Sequence, residues 1–261
     1  MVNLLFHRDL GGAGKPPLIL LHGMLGSSRN WQTAGTDLAA HFRVFAVDLR
    51  NHGRSPHANS MTYDEMMSDV VAWMDGQQLS SATLLGHSMG GKVGMLLSCR
   101  EPARVERLIA VDIAPKNYFW PGNRASFGAM NELNLEDIRS RGDAEMRFEG
   151  RVPGWSMRKF LATNLERTPE GTWAWQINLP VLTAALPELE KNPLNEKDQY
   201  PGLARFIVGG KSNYVEEADH ALIRSHFPAA EIRVLPDVGH HPHMEAREAF
   251  VAAVVAGSPK P

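Results

Sequence analysis

Short apolar runs alternate with amphipathic stretches along the first half of the chain, and this alternation restricts the possible folds more than any other feature. The apolar runs are residues 16–22, 42–48, 82–86 and 108–112. The helical candidates between them are residues 30–40, 63–78 and 90–100. Thr62, followed by Glu65, predicts a capping box at the start of the second helix. Strands that alternate with helices predict an α/β fold, with a mostly parallel sheet covered by helices on both faces.

The alternation stops at about residue 116 and resumes at about residue 203. The later strand candidates are residues 204–208 and 231–235, and the later helix candidates are residues 216–226 and 242–256. Four of the six tryptophans lie in the segment between, in a mostly helical pattern. We therefore expect a core domain of residues 1–115 and 203–261, with residues 116–202 inserted between two strands as a helical cap.

Composition excludes several functional classes. Hydrophobic residues make up 43% of the chain and the formal net charge is −2, with basic residues scattered, which argues against a nucleic-acid partner. Cys99 is the only cysteine, so the chain has no internal disulfide. The apolar stretch at the N-terminus is too short for a signal peptide or a membrane span, so we expect a cytoplasmic protein without stable membrane insertion.

The segment Gly86–Gly90 reads GHSMG and lies directly after a strand candidate and directly before a helix candidate. In the G-x-S-x-G pattern, a sharp turn at this place exposes the serine, and glycines allow the chain to pack closely around it. We predict that Ser88 is a nucleophile. The alternative is a tight strand-to-helix turn in which the serine only caps the helix.

A serine nucleophile needs a histidine base, which a carboxylate holds in place. His240 follows the last strand candidate, at the carboxyl edge of the sheet where Ser88 is also expected. His241 and His243 are alternatives. A metal site built on the HHPH sequence is less favoured, because no carboxylate or cysteine lies at ligand spacing.

Two strand ends compete to supply the carboxylate. Asp112 ends the run LIAVD and satisfies the chain order Ser, Asp, His, although it is also a plausible structural turn residue. The later strand ends in GGKSNY, which has no carboxylate before Glu216. We therefore assign the acid to Asp112, with Glu216 as the alternative. Ser212 is expected near the acid as an auxiliary hydrogen-bonding residue, or as a turn residue only.

An oxyanion hole requires two backbone N–H groups directed at the developing negative charge. The residue after the nucleophile, Met89, is one expected donor. The other is expected in the glycine-rich loop after the first parallel strand, where Met24 is our choice.

These motifs together resemble the α/β-hydrolases, and more narrowly the YbfF-type bacterial esterases and their mitochondrial abhydrolase relatives. The resemblance covers nearly the whole chain, through LLHGMLGSSRNW, VDLRNHGRSPH, LLGHSMGG, VDIAPKNY, GGKSNYV and VGHHPHME. It implies a cap inserted after the sixth strand, Asp112 as acid after that strand, Ser212 as auxiliary residue after the seventh, and His240 as base. It also implies carboxylesterase activity and, in some members, cleavage of acyl-CoA thioesters.

The expected substrate is a small ester or thioester with an apolar acyl part, and no cofactor or metal is expected. The aromatic and methionine residues of the cap suit the binding of an apolar acyl chain. They suit equally well a small hydrophobic core within the cap itself. Carbon–carbon bond hydrolases, cofactor-free perhydrolases and aminopeptidase relatives remain open, as does a receptor that keeps a hydrolase pocket. Oligomeric state is left open. Four cap arginines are expected on a mixed-charge face, because acidic residues are interspersed with them: Arg124, Arg147, Arg151 and Arg158.

Overall fold

The computed structural model describes residues 4–257, so the ends of the predicted core domain lie outside it. Its main sheet has the strand order β1-β3-β2-β4-β5-β8-β9. Only β1 is antiparallel to its neighbour, and the other pairs are parallel. The strands are β1 His7–Gly11, β2 Pro17–Leu21, β3 Arg43–Val47, β4 Ala82–His87, β5 Val105–Val111, β8 Leu203–Gly209 and β9 Ala230–Leu235. The predicted mostly parallel sheet is confirmed.

Helices cover both faces of this sheet. Along β2, Ile19 and Leu21 belong to one apolar cluster, whereas Leu18 and Leu20 belong to another, because successive side chains of a strand point to opposite faces. Both clusters contain helical residues. The helices of this core are α1 Gln32–Leu38, α2 Tyr63–Gly76, α3 Met89–Arg100, α8 His220–His226, α9 Pro242–Glu245 and α10 Arg247–Val255.

Local sequence signals predicted some helix boundaries better than others. The capping box of α2 is present, with Glu65 N donating to Thr62 Oγ1 at 3.2 Å and Thr62 N donating to Glu65 Oε2 at 2.9 Å. The last predicted helix is in fact two helices, because Ala246 between them has φ −141° and ψ 61°, which is not helical. Strand β1 was not predicted, since its sequence HRDLG is largely polar.

The segment between β5 and β8 has the predicted helices and one hairpin that was not predicted. It contains α4 Pro121–Glu132, α5 Arg141–Arg147, α6 Trp155–Ala162, β6 Leu165–Arg167, β7 Trp173–Trp175 and α7 Leu179–Leu189. Within residues 4–257 this segment follows the fifth strand of the chain, β5. The resemblance implied that it would follow the sixth strand. The difference arises because a single strand, the antiparallel β1, precedes β2.

This inserted segment shares one apolar cluster with the sheet. Phe127 of α4 and Leu182 of α7 belong to the same cluster as Leu21 of β2. A buried lysine also joins the two parts, since Lys92 Nζ on α3 donates to Lys191 O at 2.6 Å. Burial lowers the pKa of Lys92 to about 7. The inserted segment is therefore packed onto the core by apolar and polar contacts.

The turn from β4 into α3 depends on the absence of side chains at two glycines. A Cβ at Gly86 would lie 2.2 Å from Gly90 O, and a Cβ at Gly90 would lie 2.5 Å from Leu21 O. Both obstacles are backbone atoms, which cannot rotate away. The two glycines therefore allow β4, α3 and the end of β2 to meet at the residue between them, Ser88.

Gly86→Ala is expected to lower the free energy of unfolding by about 1–3 kcal/mol, because the added methyl group overlaps backbone. Urea denaturation of the variant and the parent protein measures this difference. Gly122→Ala is the matched control, since no atom lies within 4 Å of its added Cβ, and it should leave stability unchanged or raise it slightly. Equal stability of Gly86→Ala and the parent would contradict the close packing described here.

Candidate active site

The carboxyl ends of the parallel strands meet at one edge of the sheet, and the predicted site residues lie there. In an open α/β sheet this edge is where ligands bind, because the loops that follow the strands converge on it. Five of the predicted residues follow five different strands: Met24 after β2, Ser88 after β4, Asp112 after β5, Ser212 after β8 and His240 after β9. The sixth, Met89, is the first residue of α3.

Ser88 occupies a strained turn between β4 and α3. Its φ is 51° and its ψ is −116°, a conformation that residues other than glycine rarely adopt. The backbone is held by the bond from Ser88 N to Val111 O at 3.0 Å. The side chain makes no capping hydrogen bond to α3, which disfavours the interpretation of Ser88 as a helix cap. The turn instead leaves the hydroxyl on the wall of a cavity.

Asp112 is fully buried and accepts three hydrogen bonds. Its Oδ2 accepts from His240 Nδ1 at 2.7 Å and from Ser212 Oγ at 2.5 Å, and its Oδ1 accepts from Gly209 N at 2.9 Å. A buried carboxylate is tolerated only when such donors replace water. Asp112 also has a positive φ of 49°, so its backbone turns sharply at the strand end. The sequence left two partners open for the Ser212 hydroxyl, the histidine and this carboxylate, and in the structure it contacts the carboxylate.

His240 is joined to Asp112 through Nδ1, which leaves Nε2 available on the other side of the ring. Its backbone is also fixed, since His87 Nε2 donates to His240 O at 2.7 Å. His240 and Ser88 line the same cavity. No hydrogen bond joins their side chains within residues 4–257, and such contacts in catalytic sites often tighten only when substrate binds.

Tyr214 is a site residue that sequence reasoning missed. Its ring stacks on the imidazole of His240, with centroids 3.6 Å apart and planes 19° apart. Tyr214 N donates to Ser212 Oγ at 3.2 Å, so one short loop contacts both the acid and the base. Burial and the charge of Asp112 raise the pKa of Tyr214 to about 12, which keeps its ring neutral. The sequence signal was its position two residues after Ser212.

Two backbone N–H groups near Ser88 have no acceptor in the described part of the chain. They are those of Met24, in the loop after β2, and Met89, the first residue of α3. The N–H groups of a first helical turn have no partner inside the helix. Met24 lines the cavity beside Ser88. These are the two donors that the sequence assigned to an oxyanion hole.

Three further histidines, His87, His241 and His243, lie close to His240, and burial keeps them neutral. Burial, with nearby imidazoles, lowers the pKa of His87 well below its usual value, that of His241 to about 4 and that of His243 to about 3. Neither His241 nor His243 contacts Asp112 through a hydrogen bond in the described chain, whereas His240 does. Within residues 4–257, no group of three or more His, Cys, Asp and Glu side chains is arranged to hold a metal ion.

Two more buried histidines support the loops of the site. His22 Nε2 accepts from Leu49 N at 3.0 Å, and His52 Nε2 accepts from Leu25 N at 3.2 Å. Both histidines must keep Nε2 unprotonated to accept these bonds. Burial lowers the pKa of His52 to about 3 and also lowers that of His22.

The cavity beside Ser88 is narrow and has a mixed lining. Its volume is about 60 Å³. Leu25 contributes apolar surface from the core, while Met157 and Phe160 of α6 contribute it from the inserted segment. Other aromatic residues of that segment, including Phe127 and Phe148, are buried in the apolar core instead. Some aromatic residues of the segment therefore line the cavity, whereas others belong to the hydrophobic core.

The charged residues that the sequence offered as alternatives or as a mixed-charge face have structural roles outside the cavity. Each of the four arginines expected on a mixed-charge face forms an ion pair: Arg124 with Glu190, Arg147 with Asp143, Arg151 with Glu132, and Arg158 with Glu149. Glu216, the alternative acid, is exposed and caps a short 3-10 helix. None of these residues lines the cavity that contains Ser88.

Comparison with known proteins agrees with this geometry. The model of the Alpha/beta hydrolase family matches residues 18–253. The chain belongs to this family. It is 34% identical to Esterase YbfF of Escherichia coli, with 91% of each chain covered. It is 35% identical to sn-1-specific diacylglycerol lipase ABHD11 of Xenopus tropicalis, with 97% of this chain and 81% of that protein covered.

A solved structure supports the same assignment. This chain superposes on a marine microorganism esterase with a TM-score of 0.93 and 31% sequence identity, and the match covers 97% of this chain and 98% of that one. The predicted α/β-hydrolase fold and the resemblance to YbfF-type esterases are therefore confirmed. In the described part of this alpha/beta hydrolase, no helix is long and apolar enough to cross a membrane.

The stability of the protein is expected to fall as pH decreases from 7 to 5. Buried histidines with depressed pKa values stay neutral in the folded state, whereas in the unfolded state they bind protons below about pH 6.5. The stability they contribute is therefore full above pH 6.5 and is lost as pH falls towards their folded pKa values. Each such histidine adds a slope of about 1.4 kcal/mol per pH unit.

Urea denaturation at pH 7, 6 and 5 measures this slope. His243→Phe should reduce the slope, because it removes one histidine whose pKa is lowered to about 3. His41→Gln is the control, since His41 is exposed, and it should leave the slope unchanged. A free energy of unfolding that does not change between pH 7 and pH 5 would contradict this account.

Proposed function

We propose that this protein hydrolyses carboxylic esters through an acyl-enzyme on Ser88. The observation that carries the proposal is the buried Asp112–His240 pair, whose imidazole shares a cavity with Ser88. The two N–H groups without acceptors, of Met24 and Met89, support it further. The esterase and lipase names of the similar proteins agree with this reaction class.

In the first half of the reaction, Ser88 Oγ attacks the acyl carbon of the ester while His240 Nε2 takes its proton. The carbonyl oxygen becomes an oxyanion, which accepts hydrogen bonds from Met24 N and Met89 N. The imidazolium then gives its proton to the departing alcohol oxygen as the carbon–oxygen bond breaks. The product is an ester between the acyl group and Ser88.

In the second half, water replaces the alcohol. His240 removes a proton from the water as it attacks the acyl carbon, and a second oxyanion forms in the same place. Collapse of this intermediate returns the proton to Ser88 Oγ and releases the carboxylic acid. No cofactor takes part in this proposed sequence.

Asp112 and its partners act on the base. The carboxylate holds His240 in the tautomer that has a free Nε2, and it stabilises the imidazolium that forms twice in each cycle. Ser212 and Gly209 donate to the same carboxylate and fix its orientation. Tyr214 restrains the ring of His240 from one face.

We propose that residues 116–202 act as the cap and residues 1–115 and 203–261 as the core. The cap supplies Met157 and Phe160 to the cavity, which suits an apolar acyl part. We further propose that the protein cleaves thioesters, because that reaction proceeds through the same acyl-enzyme. A cytoplasmic location is likewise proposed, and the single cysteine supports it.

Ser88→Ala is expected to reduce hydrolysis of 4-nitrophenyl esters to the background rate, because no other side chain can form the acyl-enzyme. Esters from acetate to palmitate are compared, together with the matching acyl-CoA thioesters. Labelling of Ser88 by a fluorophosphonate, measured by intact-protein mass spectrometry, should also be lost. Normal turnover by folded Ser88→Ala would remove this serine from the mechanism and favour a different chemistry on the same fold.

Asp112→Asn should lower kcat by about 10⁴-fold, by analogy with other triads. Ser212→Ala should lower kcat about tenfold, as expected for the loss of one hydrogen bond to a charged group. Ser81→Ala is the control, because it removes a hydrogen bond to the carboxylate of Glu106 at the opposite end of β4 from Ser88. A full-rate Asp112→Asn variant would transfer the role of acid to another residue, with Glu216 tested next.

A further inference from the structure

A second space adjoins the catalytic cavity and is much larger. It is an open groove of about 540 Å³ between the cap and the core. Asn30, His243 and Met244 line both spaces, so these three residues form the wall between them. A substrate group that extends past this wall from Ser88 would enter the groove.

The groove is lined by three arginines and, in the described part of the chain, by no carboxylate. Arg247 has an ion-pair partner outside the groove, Asp37, at 3.1 Å. Arg141 donates only to the neutral Leu165 O, at 2.6 Å. Arg29 is exposed, and its side chain forms neither an ion pair nor a hydrogen bond within residues 4–257. At least two of the arginines that line the groove therefore have no ion-pair partner in the described chain, unlike the four paired arginines of the inserted segment.

The wall between the two spaces contains an unsatisfied polar atom. His243 is 4% exposed, and its Nδ1 has no hydrogen-bond partner. Burial of a polar atom without a partner costs free energy, and such atoms are uncommon in folded proteins. Because the pKa of His243 is lowered to about 3, the ring is neutral and its two nitrogens can offer one donor and one acceptor. The wall between the two spaces therefore contains a polar atom that the described part of the chain leaves unsatisfied.

The two spaces have different linings, and each lining suits a different half of an ester substrate. Apolar side chains of Leu25, Met157 and Phe160 line the catalytic cavity and suit the acyl half. The groove is polar and positively charged, as binding of a carboxylate or phosphate requires. We propose that the groove binds an anionic group, carboxylate or phosphate, on the alcohol half of the substrate. This inference rests on the proposed ester hydrolysis for the orientation of the substrate.

The test uses three butyrate esters that differ only in the alcohol. They are 2-hydroxyethyl butyrate, which is neutral, O-butyryl glycolate, which carries a carboxylate, and 2-phosphooxyethyl butyrate, which carries a phosphate. Butyrate release at low ionic strength should give a kcat/KM about tenfold higher for an anionic ester than for the neutral one, mainly through a lower KM. Addition of salt should reduce this preference. The anionic ester with the higher kcat/KM shows whether the groove prefers a carboxylate or a phosphate.

Arg29→Gln and Arg141→Gln should each reduce the ratio of anionic to neutral kcat/KM several-fold. Arg224→Gln is the matched control, because it removes the same charge from an exposed position outside the groove, and it should keep the parent ratio. Equal kcat/KM for all three esters, or a ratio that Arg29→Gln and Arg141→Gln leave intact, would overturn the inference.

A binding measurement separates this inference from the proposed reaction. Isothermal titration of the three esters into Ser88→Ala should show tighter binding of an anionic ester, and Arg29→Gln in that background should weaken it. Equal affinities for all three esters would reject the groove as an anion site, even if the parent protein hydrolyses esters. Preferential anion binding without any turnover by the parent protein would support the groove and reject the proposed hydrolysis.

Discussion

The hydrogen bonds to the buried carboxylate of Asp112 organise the rest of the site. This one group accepts from Gly209, which ends β8, from Ser212, which follows that strand, and from His240, which follows β9. A carboxylate with no exposed surface needs these donors, since water cannot replace them. The same bonds that satisfy a buried charge therefore bring the base to the edge of the sheet where Ser88 lies, so stability and proposed catalysis depend on the same contacts.

The nucleophile depends on a second constraint, which is steric. Ser88 holds a positive φ because β4 and α3 meet at a sharp turn, and the turn exists because Gly86 and Gly90 have no side chains. Burial adds a third constraint, since five histidines around the site and its loops have lowered pKa values. Backbone strain costs stability, and the buried imidazoles cost stability when the pH falls below about 6.5; the large apolar core on each side of the sheet offsets these costs.

The inserted segment gives the two spaces beside Ser88 different chemistry. Its helix α6 provides apolar side chains to the narrow catalytic cavity, while Arg141 of α5 and Gln176 after the hairpin line the open groove. Several other charges of the segment form ion pairs with each other. The choice of substrate in the proposed reaction therefore depends on the segment that departs from the regular alternation of strands and helices.

The sequence by itself determined the parallel sheet, the position of the inserted segment and the six proposed site residues, because apolar periodicity and the glycine-rich turns are local signals. It did not reveal strand β1 or the hairpin of β6 and β7, whose short sequences lack strict alternation. Only the tertiary structure placed Tyr214 against His240 and brought Arg29, Arg141 and Arg247 to one groove. These contacts join residues that are far apart in the chain, so no local pattern records them, and they exist only once packing has fixed the loops relative to one another.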